Sequence, residues 1–592
     1  MSNVDPITLE LIKGAIRSAR SEMEALIERT SMSPFIREKK DYFTAMFDAE
    51  GRMVYGTNLP LASNLLEGVF DNYAPETMEP GDMYWYNDPY ESHGAVQHLP
   101  DTVFISPVFS EGQLMGFAQA WGHLWDIGGI MPGSISPDAT ETFHEGILIP
   151  PTRIYHKGVL NEELFRVYTR NSRFPEIMRG DLKAIMASCR LGKQRMEEMI
   201  GRFGNETTRA GFDALIHQTE AAVRQALETK VPDGTYAFRD WLDSDAVTDN
   251  PYSVHVQLHK EGSKVEMDFT KTDDQARGSI NFIMHDSVPK NMYGLYLTSD
   301  DPTVLFNSGF EQAFGEVKTR KGSLVDPVFP AALGMRSHTM IRVNSAIFGT
   351  LAQATGGQTS AASPAYVLYY MRSLNRLKGD YTMCIEGLAV GMGARSFADG
   401  IDSVYYVAQK NYPIEFAEME FGVRIEGYRV HTDSGGPGRY RGGAGIIRDV
   451  RVIADEAILG CRLENVKFPA WGVNGGHGAR PGRFIVNPGT PEEYELKPLS
   501  DQNKLKKGDL VRVMTTGGGG WGNPLERPAE QVLLDVLDGF VSEQSAHDDY
   551  GVVLKDDGAA VDASATDKLR KSLAGETKLF HRGYYYDEEA RA

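Results

Sequence analysis

Leu9, Ile12, Ile16, Ala19, Met23 and Leu26 fall at three- and four-residue intervals, so residues 5–31 are predicted to form an amphipathic helix. Asp5 can cap it and Pro6 suits its first turn, because the first N–H groups of a helix lack internal partners. Ser33-Pro34 stops it. The period then changes to two. Phe43, Ala45 and Phe47 alternate with other positions, Asp48-Ala49-Glu50-Gly51 turns, and Arg52-Met53-Val54-Tyr55 resumes, which reads as a β-hairpin. Asp41 stands at its entrance, and on local grounds a strand-entry aspartate suffices to explain it.

A short aromatic strand in EPGDMYWYNDPY (79–90) leads to two apolar runs, TVFISPVF and LMGFAQAW, that read as buried strands. ILIPPTRIYHKG is predicted as a strand and a turn, residues 161–203 as helical, and 208–229 as another helix. YSVHVQLHKEGSKVEMDFT alternates as a hairpin around Glu261-Gly262-Ser263. Residues 288–305 and 337–375 are mixed, with helix expected near PAYVLYYMRSLNRL. After residue 400 strands dominate: SVYYVAQK, RIEGYRVH, IIRDVRVIAD, GRFIVN and LVRVMTT. The end of the chain reads as a helix (PAEQVLLDVLDGFV), a strand (GVVL) and an Ala/Asp/Lys-rich helical tail. The expectation is an α+β protein with several mainly antiparallel sheets and flanking helices. It divides into 1–230, 231–400 (mixed), 401–525 (strands and glycine loops) and 526–592 (helical tail).

At 592 residues, 41% hydrophobic and 24% charged, the composition is that of an ordinary large globular protein. A net charge of −20 argues against nucleic acid and anionic membrane as partners, since both need a positive face. No apolar run reaches the roughly 18 residues that span a bilayer, and the amphipathic N-terminus is not a signal peptide pattern, so the cytoplasm is the expected compartment. Cys189, Cys384 and Cys461 lie too far apart for a disulfide framework or a Cys-rich zinc site, and inert buried thiols are expected.

Chemistry concentrates between Tyr84 and Gly146, which holds four of the fourteen histidines: His93, His98, His123 and His144. In His98-Leu99-Pro100-Asp101 the proline prevents a helix, so the motif sits on a bent loop entering TVFISPVF. His123 follows 22 residues after Asp101. A strand out, a turn at Ser110-Glu111-Gly112-Gln113 and a strand back return it beside that motif. Two imidazoles with one or two carboxylates suit Zn²⁺, Mn²⁺ or Fe²⁺. Hydrogen-bonded core histidines with aspartate partners fit the same spacing, because His-x-x-Asp alone is unspecific. Three glycine-rich loops (433–445, 471–482 and 515–524) match neither the phosphate-loop nor the dinucleotide fingerprint. They read as tight turns between strands, where glycine supplies positive φ and close packing, or as an anion nest helped by Arg439 and Arg441. The chain therefore carries no recognisable nucleotide site of its own.

The set DPITLELI, RTSMSPFIREKKDYFTAMFDAEGRMV, GDMYWYNDPY, QHLPDTVFISPVF, GHLWDIGGIMPGS, FHEGILIPP, DSGGPGRYRGGAG and GGGGWGNP resembles the B subunit of the ATP-dependent hydantoinase/5-oxoprolinase family, in order from about residue 5 to 525. The superfamily includes subunits of acetone and acetophenone carboxylases and of a caprolactamase. The resemblance implies a divalent metal, zinc or manganese, held by Asp41, His98, Asp101 and His123. Relatives often show His-His-x-Asp where this chain has His123-Leu124-Trp125-Asp126, so the second histidine is absent. Asp126, His144 and Glu145 become candidates for proton transfer or for orienting the ligands. ATP is expected on a separate A subunit of a hetero-oligomer (A2B2), which phosphorylates a substrate oxygen. The implied activity is hydrolysis of a small cyclic amide, a hydantoin to an N-carbamoyl amino acid or a lactam to an amino acid. The alternatives are ketone carboxylation and a non-catalytic scaffold subunit.

Overall fold

Helix α1 (Pro6–Thr30) starts where its cap predicts: the Asp5 carboxylate accepts the amides of Ile7 and Thr8, each at 3.1 Å. Its buried stripe is Leu9, Ile12, Ile16, Ala19, Met23 and Ile27, so Ile27 takes the last place instead of Leu26. The computed structural model describes residues 4–57, 64–375, 379–405, 409–555 and 558–583. It forms two units, one of Met1–Thr235, Val256–Met340 and Ala408–Lys410, the other of Tyr236–His255, Ile341–Val407 and Asn411–Ala592.

The first unit is built on seven strands: β1 (Tyr42–Asp48), β2 (Met53–Gly56), β3 (Met83–Tyr86), β4 (Asp101–Ser110), β5 (Gln113–His123), β6 (Thr152–His156) and β7 (Val159–Leu160). They pair antiparallel in the order β2-β1-β5-β4-β3-β6-β7. The β4–β5 turn places Glu111 and Gly112 at φ 51° and 76°, the handedness that a two-residue hairpin loop demands. Helices α2 (Glu162–Arg170), α3 (Pro175–Phe203) and α4 (Asn205–Lys230) follow. The helical run expected over 161–203 is thus broken at Asn171–Phe174, and Pro175 opens α3, a first-turn position where its missing N–H costs nothing. Helix α3 lies against the sheet, with Ile185 over Gly122 and the Cys189 thiol on the carbonyl of Ala118. Strand β5 is buried from Met115 to His123 on both faces, so its sequence shows no clear alternation. The expected hairpin appears as β8 (Tyr252–Glu261) and β9 (Lys264–Asp268), and helix α5 (Arg336–Ala354) comes later.

The second unit carries two further antiparallel sheets. Its strands are β10 (Val367–Asn375), β11 (Asp380–Leu388), β12 (Val423–Val430), β13 (Ile446–Val452), β14 (Glu456–Arg462), β15 (Arg483–Val486), β16 (Tyr494–Glu495), β17 (Leu499–Lys506) and β18 (Leu510–Met514). The orders are β11-β10-β14-β17 and β12-β13-β18-β15-β16. The chain is therefore α+β, as expected. The helix expected near PAYVLYYMRSLNRL is strand β10 instead, with Val367, Tyr369 and Met371 buried on one face. Its Leu, Met and Arg content favours helix, but alternation and β-branched or aromatic residues win once two sheet neighbours are present. SVYYVAQK contributes a single bridge, Val404 to Val390, and residues 406–408 lie outside the described residues. GVVL likewise gives only a bridge, Leu554 to Val561. All three cysteines are free and buried. Among the described residues no helix is long and apolar enough to cross a membrane.

The three glycine loops show the expected close packing more than turn geometry. Among their glycines only Gly475 and Gly522 have positive φ. The loops lie backbone against backbone, with Gly436 N–H donating to Gly518 O (2.8 Å), Gly518 to Gly443 O (3.0 Å) and Gly520 to His477 O (2.9 Å). Of the two arginines of the anion-nest reading, Arg441 is buried on Asp402 at 2.9 Å, whereas Arg439 is half exposed beside Glu526 at 3.8 Å.

Candidate metal centre

Strands β1, β5 and β4 are neighbours and run antiparallel, so the start of β1, the end of β5 and the start of β4 meet at one edge of the sheet. That topology gathers the candidate ligands. Asp101 opens β4 directly opposite His123, which closes β5, as the spacing predicts. Asp41 precedes β1, and its carbonyl accepts the His123 amide at 3.1 Å. Lys40, one residue before, sits at φ 66°, a backbone state unusual for a side chain of that size and one that turns the chain into the strand. His98 lies on the loop before β4, and the Asp101 amide reaches its carbonyl at 3.4 Å.

The side chains converge. Asp101 Oδ1 lies 3.1 Å from His98 Nε2 and 3.1 Å from His123 Nδ1, and the two imidazole centroids are 4.8 Å apart. His98, Asp101 and His123 are all buried, and their candidate donor atoms lie within 4.8 Å of one another. Asp41 stands slightly further out, with Oδ2 3.9 Å from His123 Nδ1 and accepting the Gln409 side-chain amide at 2.5 Å. Buried imidazole nitrogens normally find a partner. Here His98 Nδ1 and His123 Nε2 have none, and the close His98 Nε2 contact lacks hydrogen-bond direction. Unpartnered buried nitrogens beside an aspartate fit a cation better than they fit a sealed core. The set can hold a divalent metal through nitrogen and oxygen donors.

The electrostatics agree with that reading. Burial, then the Arg336 guanidinium, pushes His98 down to about 3, so its ring is neutral at physiological pH. Burial opposes the charge on Asp101, but the contacts with His98 and His123 hold it well below the usual carboxylate range. Burial raises Asp41 to about 6, against the pull of His123. Arg336 itself, at the first residue of α5, brings Nη2 to 3.7 Å from Asp101 Oδ2. Nothing in its local sequence marks it, and the same holds for Gln409; both arrive from more than two hundred residues downstream of the motif.

The remaining candidates are placed elsewhere. Asp126 is saturated: it accepts the amides of Gly128, Gly133 and Arg173 and pairs with the Arg173 guanidinium at 2.9 Å, which shapes the 126–134 loop. His144 is half-exposed beside Glu141 at 3.4 Å. Leu124, in place of the second histidine, is fully buried in the core that also holds Ile185 and Leu182. Glu145 is buried and accepts the amides of Leu333 (3.0 Å) and Gly334 (2.6 Å), the turn that leads into Arg336. Burial raises its carboxyl from 4.5 to about 8, with the two amides and Arg336 opposing. The folded state then keeps a proton that the unfolded chain releases. Stability from this group is present below pH 4.5 and lost as pH rises toward 8, with a slope of up to about 1.4 kcal/mol per unit. Chemical unfolding at steps across this window should show the decline in wild type and a flatter profile in Glu145→Gln; equal slopes would mean that the carboxyl is already ionised in the fold.

Comparison with known proteins gives the context. Residues 5–524 match the family model described as Hydantoinase B/oxoprolinase. The chain belongs to this family. A Pseudomonas sp. (strain NS671) protein provisionally named as the B subunit of a D-/L-hydantoinase is 31% identical over 596 residues, covering 96% of this chain and 99% of that one. The crystal structure of the ATP-dependent caprolactamase from Pseudomonas jessenii superposes with a TM-score of 0.86 at 25% identity, over 96% of this chain and 100% of that one. A nucleotide-free acetone carboxylase structure shares the fold at TM-score 0.83 and 18% identity, over 96% and 83% of the respective chains.

Proposed function

We propose that this chain is the metal-binding subunit of a two-component, ATP-dependent enzyme that opens a cyclic amide by hydrolysis, a hydantoin to an N-carbamoyl amino acid or a lactam to an amino acid. The observation that carries this reading is the buried cluster of His98, Asp101 and His123 with its unpartnered ring nitrogens, in a chain whose structural relative is an ATP-dependent caprolactamase. Asp41, His98, Asp101 and His123 would hold a divalent cation, zinc or manganese. When bound, such an ion polarises a carbonyl oxygen or lowers the pKa of a water.

The chain's own residues prepare that site. Neutral His98 offers a lone pair without first losing a proton. Anionic Asp101 can only accept, so the proton at its contact with His123 sits on Nδ1 and fixes that ring's orientation. Gln409 holds one oxygen of Asp41. The buried Phe35 ring packs 4.6 Å from that of His123. With no phosphate-loop pattern in the sequence, ATP would be bound by an A subunit, which would phosphorylate the amide oxygen.

The test is a product assay on the chain copurified with its A subunit. Ring-opened product from a hydantoin or lactam, formed only with ATP, is the expected result. Label from bicarbonate fixed into a ketone, with no ring opening, would overturn it in favour of carboxylation. An isolated chain that takes up none of the expected single equivalent of metal, roughly one ion per chain, would point to a scaffold role.

A further inference from the structure

Arg336 is the least satisfied charge near the cluster. Its side chain is only 12% exposed, its Nε is buried without a hydrogen-bond partner, and its ion pair with Asp101 is long, at 3.7 Å. The other carboxylate nearby, Glu145, is taken up by the amides of Leu333 and Gly334. A buried guanidinium is costly unless its fork of donors is filled. Asp101 is also the carboxylate that a metal would take. With a divalent cation in place, two positive charges from the ion and one from Arg336 would face two negative charges, those of Asp41 and Asp101. Lys39, buried and also acting on Asp41, adds a further positive charge, so the balance in this largely buried site is net positive.

We propose that Arg336 is an oxyanion-binding residue that receives the phosphoryl group of a substrate activated by the partner subunit. This rests on the functional reading above and adds a specificity to it. A free hydantoin or lactam is neutral and offers the guanidinium only carbonyl oxygens, with no opposite charge. The same amide phosphorylated on oxygen carries the anionic oxygens that a planar arginine fork binds in pairs. Arg336 would thus admit the activated substrate in preference to the unactivated one, so that ring opening follows ATP use.

The experiment uses the full chain and inorganic phosphate as probe, by equilibrium dialysis, with metal uptake measured first and phosphate binding measured both with and without metal. Wild type is expected to bind phosphate saturably, and more tightly when metal is loaded. Arg336→Lys should weaken phosphate binding, and Arg336→Gln should weaken it by about tenfold or more while metal uptake stays at the wild-type level. Each variant is compared only if it keeps the wild-type thermal transition, and Arg336→Lys, which keeps the charge but not the fork, carries the comparison if the glutamine variant does not fold. Phosphate affinity equal to wild type in a folded variant overturns the proposal. Wild type that takes up metal but no phosphate overturns it alone, whereas wild type that takes up no metal overturns the metal reading on which it rests.

Discussion

Replacing His123 with alanine is expected to abolish metal uptake and turnover together. The reason is the position of the ring: it sits on the strand end that faces Asp101 in register, and its Nδ1 is one of the two imidazole contacts to Asp101 Oδ1. Removing it takes away a proposed ligand and the imidazole that hydrogen-bonds Asp101, leaving that buried carboxylate with the undirected His98 contact and the long pair to Arg336. Losing the ligand should weaken metal binding by more than about a hundredfold, the scale on which even supporting residues act. Losing a hydrogen bond to a buried charged group costs about 1.5–3 kcal/mol, so the metal-free variant should also unfold earlier than wild type. Asp101→Asn separates the two effects: it keeps the shape and removes the charge. It should lose metal as His123→Ala does while losing less stability. Metal titrations should show a pH dependence in the wild type. Asp41, raised to about 6, binds its proton below that value and competes with the ion, so affinity should climb as pH rises through 6. Full metal uptake and full activity in His123→Ala would remove the basis for the site.

Much of this site was legible in the sequence because it is built on a hairpin. A 22-residue interval, a proline that bars a helix and a Glu-Gly turn suffice to put His123 beside Asp101, since strand rise and turn length leave few alternatives. Asp41 joins only through β1, whose place beside β5 depends on sheet order, and local pattern does not encode sheet order. Arg336 and Gln409 were invisible for the same reason. Each is an ordinary polar residue whose role exists only after distant chain segments have met. Asp126 shows the converse: its proximity in sequence suggested chemistry, but its carboxylate is committed to Arg173 and three amides.

Periodicity marks the helices and hairpins, and where the structure departs from it the causes are physical. The 161–203 run looks continuous because both halves have apolar stripes, yet Pro175 can only begin a helix. Strand β10 is rich in good helix formers, and its state is decided by the strands on either side, Asp380–Leu388 and Glu456–Arg462.

The glycine loops, where close packing holds and positive φ is confined to Gly475 and Gly522, carry the second strong expectation. Gly391→Ala should destabilise the second unit by at least about 3 kcal/mol, at or beyond the usual range for overpacking. An added Cβ at Gly391 would lie 1.7 Å from the carbonyl oxygen of Gly443, and the next nearest atoms are also backbone. A flexible side chain could move aside; a peptide held by hydrogen bonds cannot. Gly443 donates to Met392 and accepts from Gly518, while Gly391 donates to Thr516, so a shift at one point propagates through three segments. Gly14→Ala is the control. It lies in α1 with nothing within 4 Å of the added carbon, and the change should stabilise by about 0.5–1 kcal/mol because alanine loses less backbone entropy in a helix. Thermal unfolding of the two variants beside wild type should move in opposite directions. A Gly391→Ala protein as stable as wild type would show that the packing of Gly391 against Gly443 and Gly518 has slack.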